Sequence, residues 1–325
     1  MTTRLAFAVT ETGPEAAAGD YFTALELGTA LKARFGWQIE YLPKNEGAKR
    51  WYDLAGVDLL IVMVEEYELP AIRHAPPHLV TIAWARNWFE RWCEHPWIAD
   101  YDLHLASSRR AVDFLSQRTG KLAQLMRIAT NPKRFNTDGR PTHPTLDYVF
   151  TGHYWQAERD IVGTLSALPT HYRGALYGKN WEQVPALAHL HRGFMPYSQI
   201  HEVYRNAVIV IDDANHVTKE WGAANSRVFD ALAAGCLVIT NSQSVSDDAF
   251  DCRLPVYESP DDLVRLLERY LTDASARSEL IEQLRQEVLK RHCYQHRAYE
   301  LSLHLLWLTK RVGRPANIDF SRRIL

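Results

Sequence analysis

Polar and basic side chains gather at the start of one predicted helix in the second half of the chain. The helix spans residues 226–234, Asn225 suits its N-cap position, and Ser226 and Arg227 fall in its first turn. A helix N-terminus presents unpaired backbone N–H groups and the positive end of the helix dipole, which suits a phosphate. Lys219, in the preceding loop, and Arg227 would complete a diphosphate clamp. An ordinary N-cap followed by a surface arginine remains the alternative interpretation.

Two short apolar runs flank this cluster and must position it. Residues 208–211 and 237–240 read as buried strands, and Gly235 stands where a glycine commonly ends a helix. The order is strand, long polar loop, helix, strand. This unit therefore predicts a ligand site at a strand edge of an α/β sheet.

The run NSRVFDALAAGCLVIT, at residues 225–240, resembles the donor-binding core of the group 1 glycosyltransferases of GT-B fold, and especially their CgeB-like branch. The runs VYESPDDLVRLLERYL and RHCYQHR further on are similar to the same branch. The similarity covers residues from about 145 to 300 and is weak before them. It implies a nucleoside-diphosphate sugar as co-substrate, bound by the C-terminal domain, and an acceptor bound by the N-terminal domain.

The chain departs from the two-glutamate pattern that many group 1 enzymes share. Asp230 stands where the resemblance implies contact with the ribose hydroxyls, with a solvated helix residue as the alternative. Gly222 stands where a glutamate would contact the donor sugar, and Glu220 is out of register. The way in which the donor sugar is held, and retention or inversion of its configuration, therefore stay open.

Three further segments are expected to contribute to the donor site. Gly152 and His153 follow the first strand of the second domain, where a glycine allows close approach to a ligand. Lys179 follows another strand and either pairs with a phosphate or is solvated. By resemblance, the segment GFMPY places Met195 and Tyr197 around the nucleobase, although Phe194 and Met195 would equally suit a core.

Residues expected on the acceptor side follow strands of the first half of the chain. Asp20 opens the first helix and is a candidate general base toward an acceptor hydroxyl, with a helix N-cap as the alternative. Arg86 and Asn87 follow the fourth strand and could line an acceptor pocket. Further candidates at this edge are a glutamate pair and three tryptophans that offer stacking faces or belong to a half-buried cluster: Glu65, Glu66, Trp84, Trp88 and Trp92.

The alternation of strands and helices predicts an α/β protein with parallel sheets. With the resemblance, this becomes a GT-B architecture of two Rossmann-like domains, an interdomain cleft and a terminal helix that crosses back to the first domain. The chain of 325 residues is long enough for two domains. A segment rich in proline after residue 130 reads as a linker, so we expect an N-terminal domain of residues 1–138 joined by 298–325, and a C-terminal domain of residues 143–297.

Composition narrows the class of protein. The net charge of −2 gives no electrostatic case for nucleic-acid binding. The four cysteines form no C-x-x-C pair, and the sequence shows no signal peptide, which predicts a cytoplasmic protein. Because no apolar run reaches membrane-spanning length, we also expect no membrane span. His292, Tyr294, His296 and Arg297 resemble a metal cluster, but the motif that the resemblance identifies has no metal role, so a hinge is the better interpretation.

These observations predict a metal-independent glycosyltransferase without a cofactor, which transfers a sugar from a nucleoside-diphosphate sugar to a glycan or other hydroxyl acceptor. Two alternatives remain: another GT-B nucleotide-sugar enzyme, such as an epimerase, and a non-catalytic sugar-nucleotide-binding protein. A dehydrogenase is disfavoured because the first strand–helix turn lacks G-x-G-x-x-G.

Overall fold

The computed structural model describes residues 2–44, 48–155, 159–312 and 318–320. The chain forms two compact units. The N-terminal unit combines Met1–Ile128 with Tyr294–Leu325, and the C-terminal unit is the continuous segment Ala129–Cys293. One unit is therefore built from both ends of the chain, with the other inserted between its parts.

The N-terminal unit contains a sheet of six parallel strands in the order β2-β1-β3-β4-β5-β6. The central strands are buried along their whole length, as expected when both faces of a parallel sheet are covered. The strands are β1 (Arg4–Val9), β2 (Gln38–Pro43), β3 (Leu59–Val62), β4 (Val80–Ala85), β5 (Leu103–Ala106) and β6 (Gln124–Leu125).

In the described part of this unit, four helices lie between the strands, and the helical patterns at residues 21–35 and 108–118 predict two of them. Ser108 caps the fourth, accepting a hydrogen bond from the backbone N–H of Ala111 at 3.3 Å, as its position before the helical pattern predicts. The helices are α1 (Gly19–Phe35), α2 (Ala48–Trp51), α3 (Phe89–Trp92) and α4 (Arg109–Thr119).

The C-terminal unit contains a sheet of four parallel strands in the order β10-β9-β7-β8. The strands are β7 (Leu146–Thr151), β8 (Gly174–Tyr177), β9 (Ala207–Ile211) and β10 (Leu237–Ile239). The helices are α5 (Asp160–Ser166), α6 (Ile200–Arg205), α7 (Ser226–Ala233), α8 (Gln243–Phe250), α9 (Pro260–Thr272) and α10 (Ala274–Arg291).

The last helix, α11 (Tyr294–Val312), belongs to the N-terminal unit and packs against α1. The guanidinium of Arg34 in α1 lies 5.1 Å from the ring centre of Tyr299 in α11. Its return to the first domain, which the resemblance implied, is therefore observed. Within the described ranges, no helix combines the length and apolar character that a bilayer crossing requires.

The boundary after the first unit falls at Ile128, earlier than the predicted residue 138. The segment read as a linker is bound to the C-terminal unit. Arg140 is the clearest case, because its Nη1 donates to the carbonyl oxygen of Tyr204 at 2.9 Å and its Nη2 to that of Ala207 at 2.6 Å. Proline and glycine predicted a loop correctly, but the anchoring contacts of that loop depend on the fold.

Three predicted elements differ in extent from the structure. The sequence pattern predicts a strand over residues 122–128, whereas β6 has two residues, and it predicts a helix over 196–206, where the structure has a short 3₁₀ turn followed by α6. The predicted start of α5 lies at residues 156–158, outside the described residues. Helix α8 was not predicted, although Ser242 caps it by accepting from the backbone N–H of Val245 at 3.2 Å.

Candidate functional site

Four segments meet at the carboxyl edge of the C-terminal sheet, because its strands are all parallel. They follow β7, β8, β9 and β10, and they contain most of the residues predicted for the donor. Open α/β sheets bind ligands at this edge. The contacts among these segments define the candidate site.

Arg227, in the first turn of α7, links the ends of two strands. Its Nε donates to the carbonyl oxygen of Thr151 at 2.6 Å, and its Nη1 donates to Oδ1 of Asp212 at 2.6 Å. The remaining nitrogen, Nη2, lies beside Gly152 and has no hydrogen-bond acceptor among the described residues. Arg227 is therefore not a surface arginine; it is held in place with one edge of the guanidinium left for a ligand.

Asp212 is the counter-ion that sequence analysis did not identify. Its side chain is wholly buried and also accepts hydrogen bonds from Asn225 Nδ2 at 2.7 Å and Thr240 Oγ1 at 2.8 Å. Three donors, one of them charged, compensate the buried carboxylate. The signal in the sequence was a pair of aspartates directly after a buried strand.

Asn225 occupies the predicted N-cap position of α7 but makes no side-chain capping bond. Its Nδ2 donates to Asp212, and its Oδ1 is buried without a partner in the described part of the chain. The backbone N–H groups of Ser226 and Arg227 therefore are not capped by this side chain, as an anion-binding helix terminus requires.

Lys219 is paired across the site rather than extended toward solvent. Its Nζ lies 2.8 Å from Oδ2 of Asp160, the first residue of α5. Both side chains are partly exposed, so the pair is worth at most about 1 kcal/mol and could open to admit a stronger anion.

A second buried ion pair, Arg159–Asp213, was also missed. Arg159 Nε lies 2.8 Å and Nη2 2.7 Å from Asp213 Oδ2, and Nη1 donates to the carbonyl oxygen of His153 at 2.7 Å. Burial raises the pKa of the Asp213 carboxyl, and the charge of Arg159 opposes that rise. All three guanidinium nitrogens of Arg159 are thus engaged within the protein.

His153 and Lys179 are brought together as predicted for two segments of one site. The backbone N–H of Lys179 donates to Nδ1 of His153 at 2.9 Å, so a neutral His153 carries its proton on Nε2. The Lys179 ammonium lies 4.4 Å from the ring centre of Phe194, and the rings of His153 and Phe194 are 5.7 Å apart. A cationic and aromatic group therefore forms beside Gly152.

Gly152 and Gly178 lie at the ends of adjacent strands in close contact. A Cβ on Gly178 would stand 1.9 Å from the carbonyl oxygen of Gly152, and that oxygen accepts the indole N–H of buried Trp181 at 2.7 Å. The two glycines let the backbones of both turns touch.

We expect Gly178→Ala to lower the free energy of unfolding by about 1–3 kcal/mol, because the added methyl group forces the two turns apart. Urea denaturation measures the change. Gly163→Ala in α5 is the matched control, because nothing lies within 4 Å of its Cβ position. That variant should be neutral or more stable by up to about 1 kcal/mol. Equal stability of the two variants would contradict the close contact.

The predicted base-binding segment is half-buried. Phe194, Met195 and Tyr197 all keep partial exposure, so the alternative that placed Phe194 and Met195 in the core is wrong. Tyr197 lies 5.7 Å from the ring of Phe135, ring centre to ring centre. These side chains line the surface of the C-terminal unit, where contact with a base stays a prediction.

The structure shows the surroundings of Asp230 and Gly222, the two positions at which the chain departs from the two-glutamate pattern. Asp230 is 2% exposed and accepts a hydrogen bond from Thr130 Oγ1 at 2.6 Å, so it is not a solvated helix residue. Gly222 has a φ of +68°, and a Cβ there would lie 2.7 Å from the carbonyl oxygen of Ser244. This backbone cannot carry a glutamate at position 222 without moving, whatever the ligand.

In the N-terminal unit, Asp20 is buried in the first turn of α1, where it accepts a hydrogen bond from the backbone N–H of Thr10 at 2.5 Å. The N-cap position belongs to Ala18, so the capping role considered for Asp20 is wrong. The carboxylate instead ties the loop after β1 to the helix. Its use as a general base stays a prediction.

Arg86 is 9% exposed, and Asn87 is half-buried beside it. Arg86 Nη2 donates to the carbonyl oxygen of Met63 at 3.2 Å, while its Nε is buried without a partner in the described ranges. Burial lowers the pKa of this guanidinium, and the negative charge of Asp20 acts in the opposite direction. A buried arginine with unused donors is unusual and suits a polar ligand.

The tryptophans and glutamates expected near the acceptor differ in burial and in their partners. Trp84 is buried and donates to the carbonyl oxygen of Met126 at 2.9 Å, and Trp92 is buried too. Trp88 is half-buried, with the Arg91 guanidinium 3.4 Å from its ring centre. Trp84 and Trp92 are therefore fully buried, beyond the half-buried cluster that was the alternative to stacking faces. Glu65 and Glu66 pair with Arg91 and Lys44.

The residues that resembled a metal cluster contact different parts of the protein. The ring of His292 lies 4.9 Å from that of Phe229, whereas Arg297 donates to the carbonyl oxygen of Arg127 at 2.7 Å and pairs with Glu300. Among the residues that the structure describes, no group of three or more His, Cys, Asp or Glu is arranged to hold a metal ion.

Two units, each built on a parallel α/β sheet and joined by a terminal helix that returns to the first, define the GT-B class of fold. Residues 156–302, which include α5 to α10 and most of the candidate site, match the family model described as glycosyl transferase-like. No curated protein matches the chain significantly.

Solved structures of the same fold align over nearly the whole chain. HepE from Anabaena, in complex with UDP-glucose, is 9% identical with a TM-score of 0.66, over 94% of this chain and 99% of that one. Sucrose-phosphate synthase from Thermosynechococcus elongatus is 12% identical with a TM-score of 0.65, over 95% and 99%. AviGT4, a glycosyltransferase of avilamycin A biosynthesis, is 14% identical with a TM-score of 0.63, over 97% and 99%. These similarities establish the GT-B fold.

Proposed function

We propose that the protein is a glycosyltransferase that moves a sugar from a nucleoside-diphosphate sugar to an acceptor hydroxyl. The observation that carries the proposal is the match of residues 156–302 to a glycosyl transferase-like family, because it coincides with the site built on α7. The sequence motifs favour the CgeB-like branch of the group 1 enzymes.

The donor diphosphate would lie against the first turn of α7. The uncapped N–H groups of Ser226 and Arg227, the Nη2 of Arg227 and the Lys179 ammonium would share its negative charge. As the glycosidic bond breaks, these groups would stabilise the leaving diphosphate. The base would contact the segment of Met195 and Tyr197, and Gly152 and His153 would approach the phosphates or the sugar.

The acceptor would bind to the N-terminal unit. Asp20 is the proposed base, and the unused donors of Arg86, with Asn87, would orient the acceptor hydroxyl. We place the reaction in the cytoplasm, with glycans or other hydroxyl compounds as acceptors, and assign no role to nucleic acid.

Binding of the donor is tested by a thermal-shift panel of UDP, GDP, dTDP, CDP and ADP. A ligand at about 100 times its Kd should stabilise the protein by about 2.7 kcal/mol, so one or two nucleotides should raise the melting temperature. Absence of any shift at millimolar concentrations would contradict the donor site.

One observation favours a second candidate, a sugar-nucleotide-binding protein without catalysis: the backbone at Gly222 excludes the glutamate that contacts the donor sugar in many group 1 enzymes. Release of free nucleoside diphosphate from the donor distinguishes the two. A transferase releases it with an acceptor or, slowly, with water, whereas a binding protein does not.

We also expect activity to persist in excess EDTA, because helix N–H groups and basic side chains take the place of a cation at the diphosphate. The measurement compares nucleoside-diphosphate release with and without the chelator. Full loss of activity in EDTA and its recovery with Mg²⁺ or Mn²⁺ would contradict the proposed mechanism.

A further inference from the structure

The chain passes between the two units twice, after Ile128 and after Cys293. Within the C-terminal unit the two passages are joined to each other. The backbone N–H of Thr130 donates to the carbonyl oxygen of His292 at 2.9 Å, and Thr130 and Cys293 form a parallel β-bridge. The two passages therefore leave this unit side by side.

Both passages are attached to consecutive residues of α7. Thr130 Oγ1 donates to Asp230 Oδ1 at 2.6 Å, and these side chains are 0% and 2% exposed. The ring of His292, itself 6% exposed, packs on Phe229 with the ring centres 4.9 Å apart and the planes inclined by 31°. One helix thus contacts the incoming and the outgoing segment.

These contacts leave Asp230 poorly placed for a ligand. Asp230 is 2% exposed, so a ribose hydroxyl could reach its carboxylate only by displacing the groups that bury it, among them Thr130, whose buried hydroxyl would then lack its acceptor. Arg227, nearer the start of the same helix, behaves differently, because it keeps one nitrogen beside Gly152 without an acceptor. The polar groups of α7 therefore divide into a ligand-facing first turn and a buried anchor.

We propose that Asp230 is a positioning residue that fixes the first passage to α7 and, with Phe229, makes α7 the common anchor of both passages. It does not bind the ribose of a donor. This inference goes beyond the proposed transfer reaction, because it concerns the path of the chain and holds whether or not the protein binds a nucleotide.

The first test compares Thr130→Val with Thr130→Ser. Valine keeps the shape of threonine but removes the donor to Asp230, so urea denaturation should show an unfolding equilibrium constant about 10- to 100-fold larger, the range for a hydrogen bond to a charged group. Serine keeps the hydroxyl and should recover most of the loss. In a double-mutant cycle, Thr130→Val should add little to Asp230→Ala, because the two residues act together.

The second test measures whether Asp230 contributes to the recognition of the ribose hydroxyls. The Kd of the nucleoside diphosphate that the thermal-shift panel identifies, and of its analogue lacking the ribose hydroxyls, is determined for the wild type, Asp230→Ala and Thr130→Val. The ratio of the two Kd values should stay within about twofold of wild type in both variants, since a ribose contact would be worth about tenfold.

Two results would overturn the proposal. One is a ratio that collapses in Asp230→Ala but not in Thr130→Val, which would make Asp230 a ribose ligand. The other is a Thr130→Val variant as stable as wild type. If no nucleoside diphosphate of the thermal-shift panel binds the wild type, the donor site proposed above fails, and the denaturation series still decides the role of Asp230.

Discussion

Asp20→Asn is expected to lower the rate of nucleoside-diphosphate release by about 10²–10⁴-fold, the usual contribution of a general base. Asparagine keeps an oxygen that can accept the hydrogen bond now donated by the backbone N–H of Thr10. The loop after β1 should therefore keep its conformation, while proton acceptance is lost. Donor affinity, measured by titration, should be nearly unchanged because the donor site lies on the other unit.

Glu11→Gln provides a matched control for this prediction. Glu11 is a carboxylate of the same loop, and its Oε1 already accepts from the backbone N–H groups of Ala17 at 2.6 Å and Ala18 at 2.8 Å. Glutamine can accept both bonds, so this variant should turn over at nearly the wild-type rate. A folded Asp20→Asn protein with normal turnover would remove Asp20 from the mechanism and favour a route without a base.

Arg227→Ala is expected to have two separate effects. The free energy of unfolding should fall by about 3–5 kcal/mol, because Asp212 would be left buried without its cationic partner. Affinity for a nucleoside diphosphate should fall by about 1.5–3 kcal/mol, because a charged hydrogen bond to phosphate is lost. Urea denaturation measures the first effect, and calorimetric titration of the folded variant measures the second.

Arg159→Ala separates these effects, because Arg159 forms a buried pair of the same kind with Asp213 while all three of its nitrogens are engaged within the protein. The Arg159→Ala variant should lose a comparable free energy of unfolding but much less affinity for the nucleoside diphosphate. An exposed pair, Arg173–Asp147, supplies a second control, and Arg173→Ala should change stability by about 1 kcal/mol or less. If Arg227→Ala binds the diphosphate as tightly as wild type, the clamp is wrong.

The sequence predicted the sheets well because buried parallel strands are continuous apolar runs. Residues 59–62 and 103–106 are examples, and each is buried throughout in the structure. Sequence also placed the candidate site at the carboxyl edge of the second sheet, since Gly152 and Gly178 directly follow β7 and β8. Helix α8 was missed because only three of its eight residues, QSVSDDAF, are apolar, which is too few to establish a helical period.

The partners of the site residues could not be predicted. Arg227 was assigned to phosphate alone, yet it is held by Asp212 and the carbonyl oxygen of Thr151, which are 15 and 76 residues away in the sequence. Asp230 was assigned to a ribose by position in a motif, and its buried bond to Thr130 spans 100 residues. A motif identifies residue types at a helix start, but burial and counter-ions are set by segments brought together only in the fold.

The insertion of one unit into the other has a consequence for synthesis on the ribosome. Residues 129–293 are contiguous, so this unit can fold as soon as its last helix emerges. The first unit begins earlier but must wait for α11, because the face of α1 on which α11 packs stays uncovered until α11 has been made. The C-terminal unit, although its translation starts later, is therefore the first of the two units that can reach its native state.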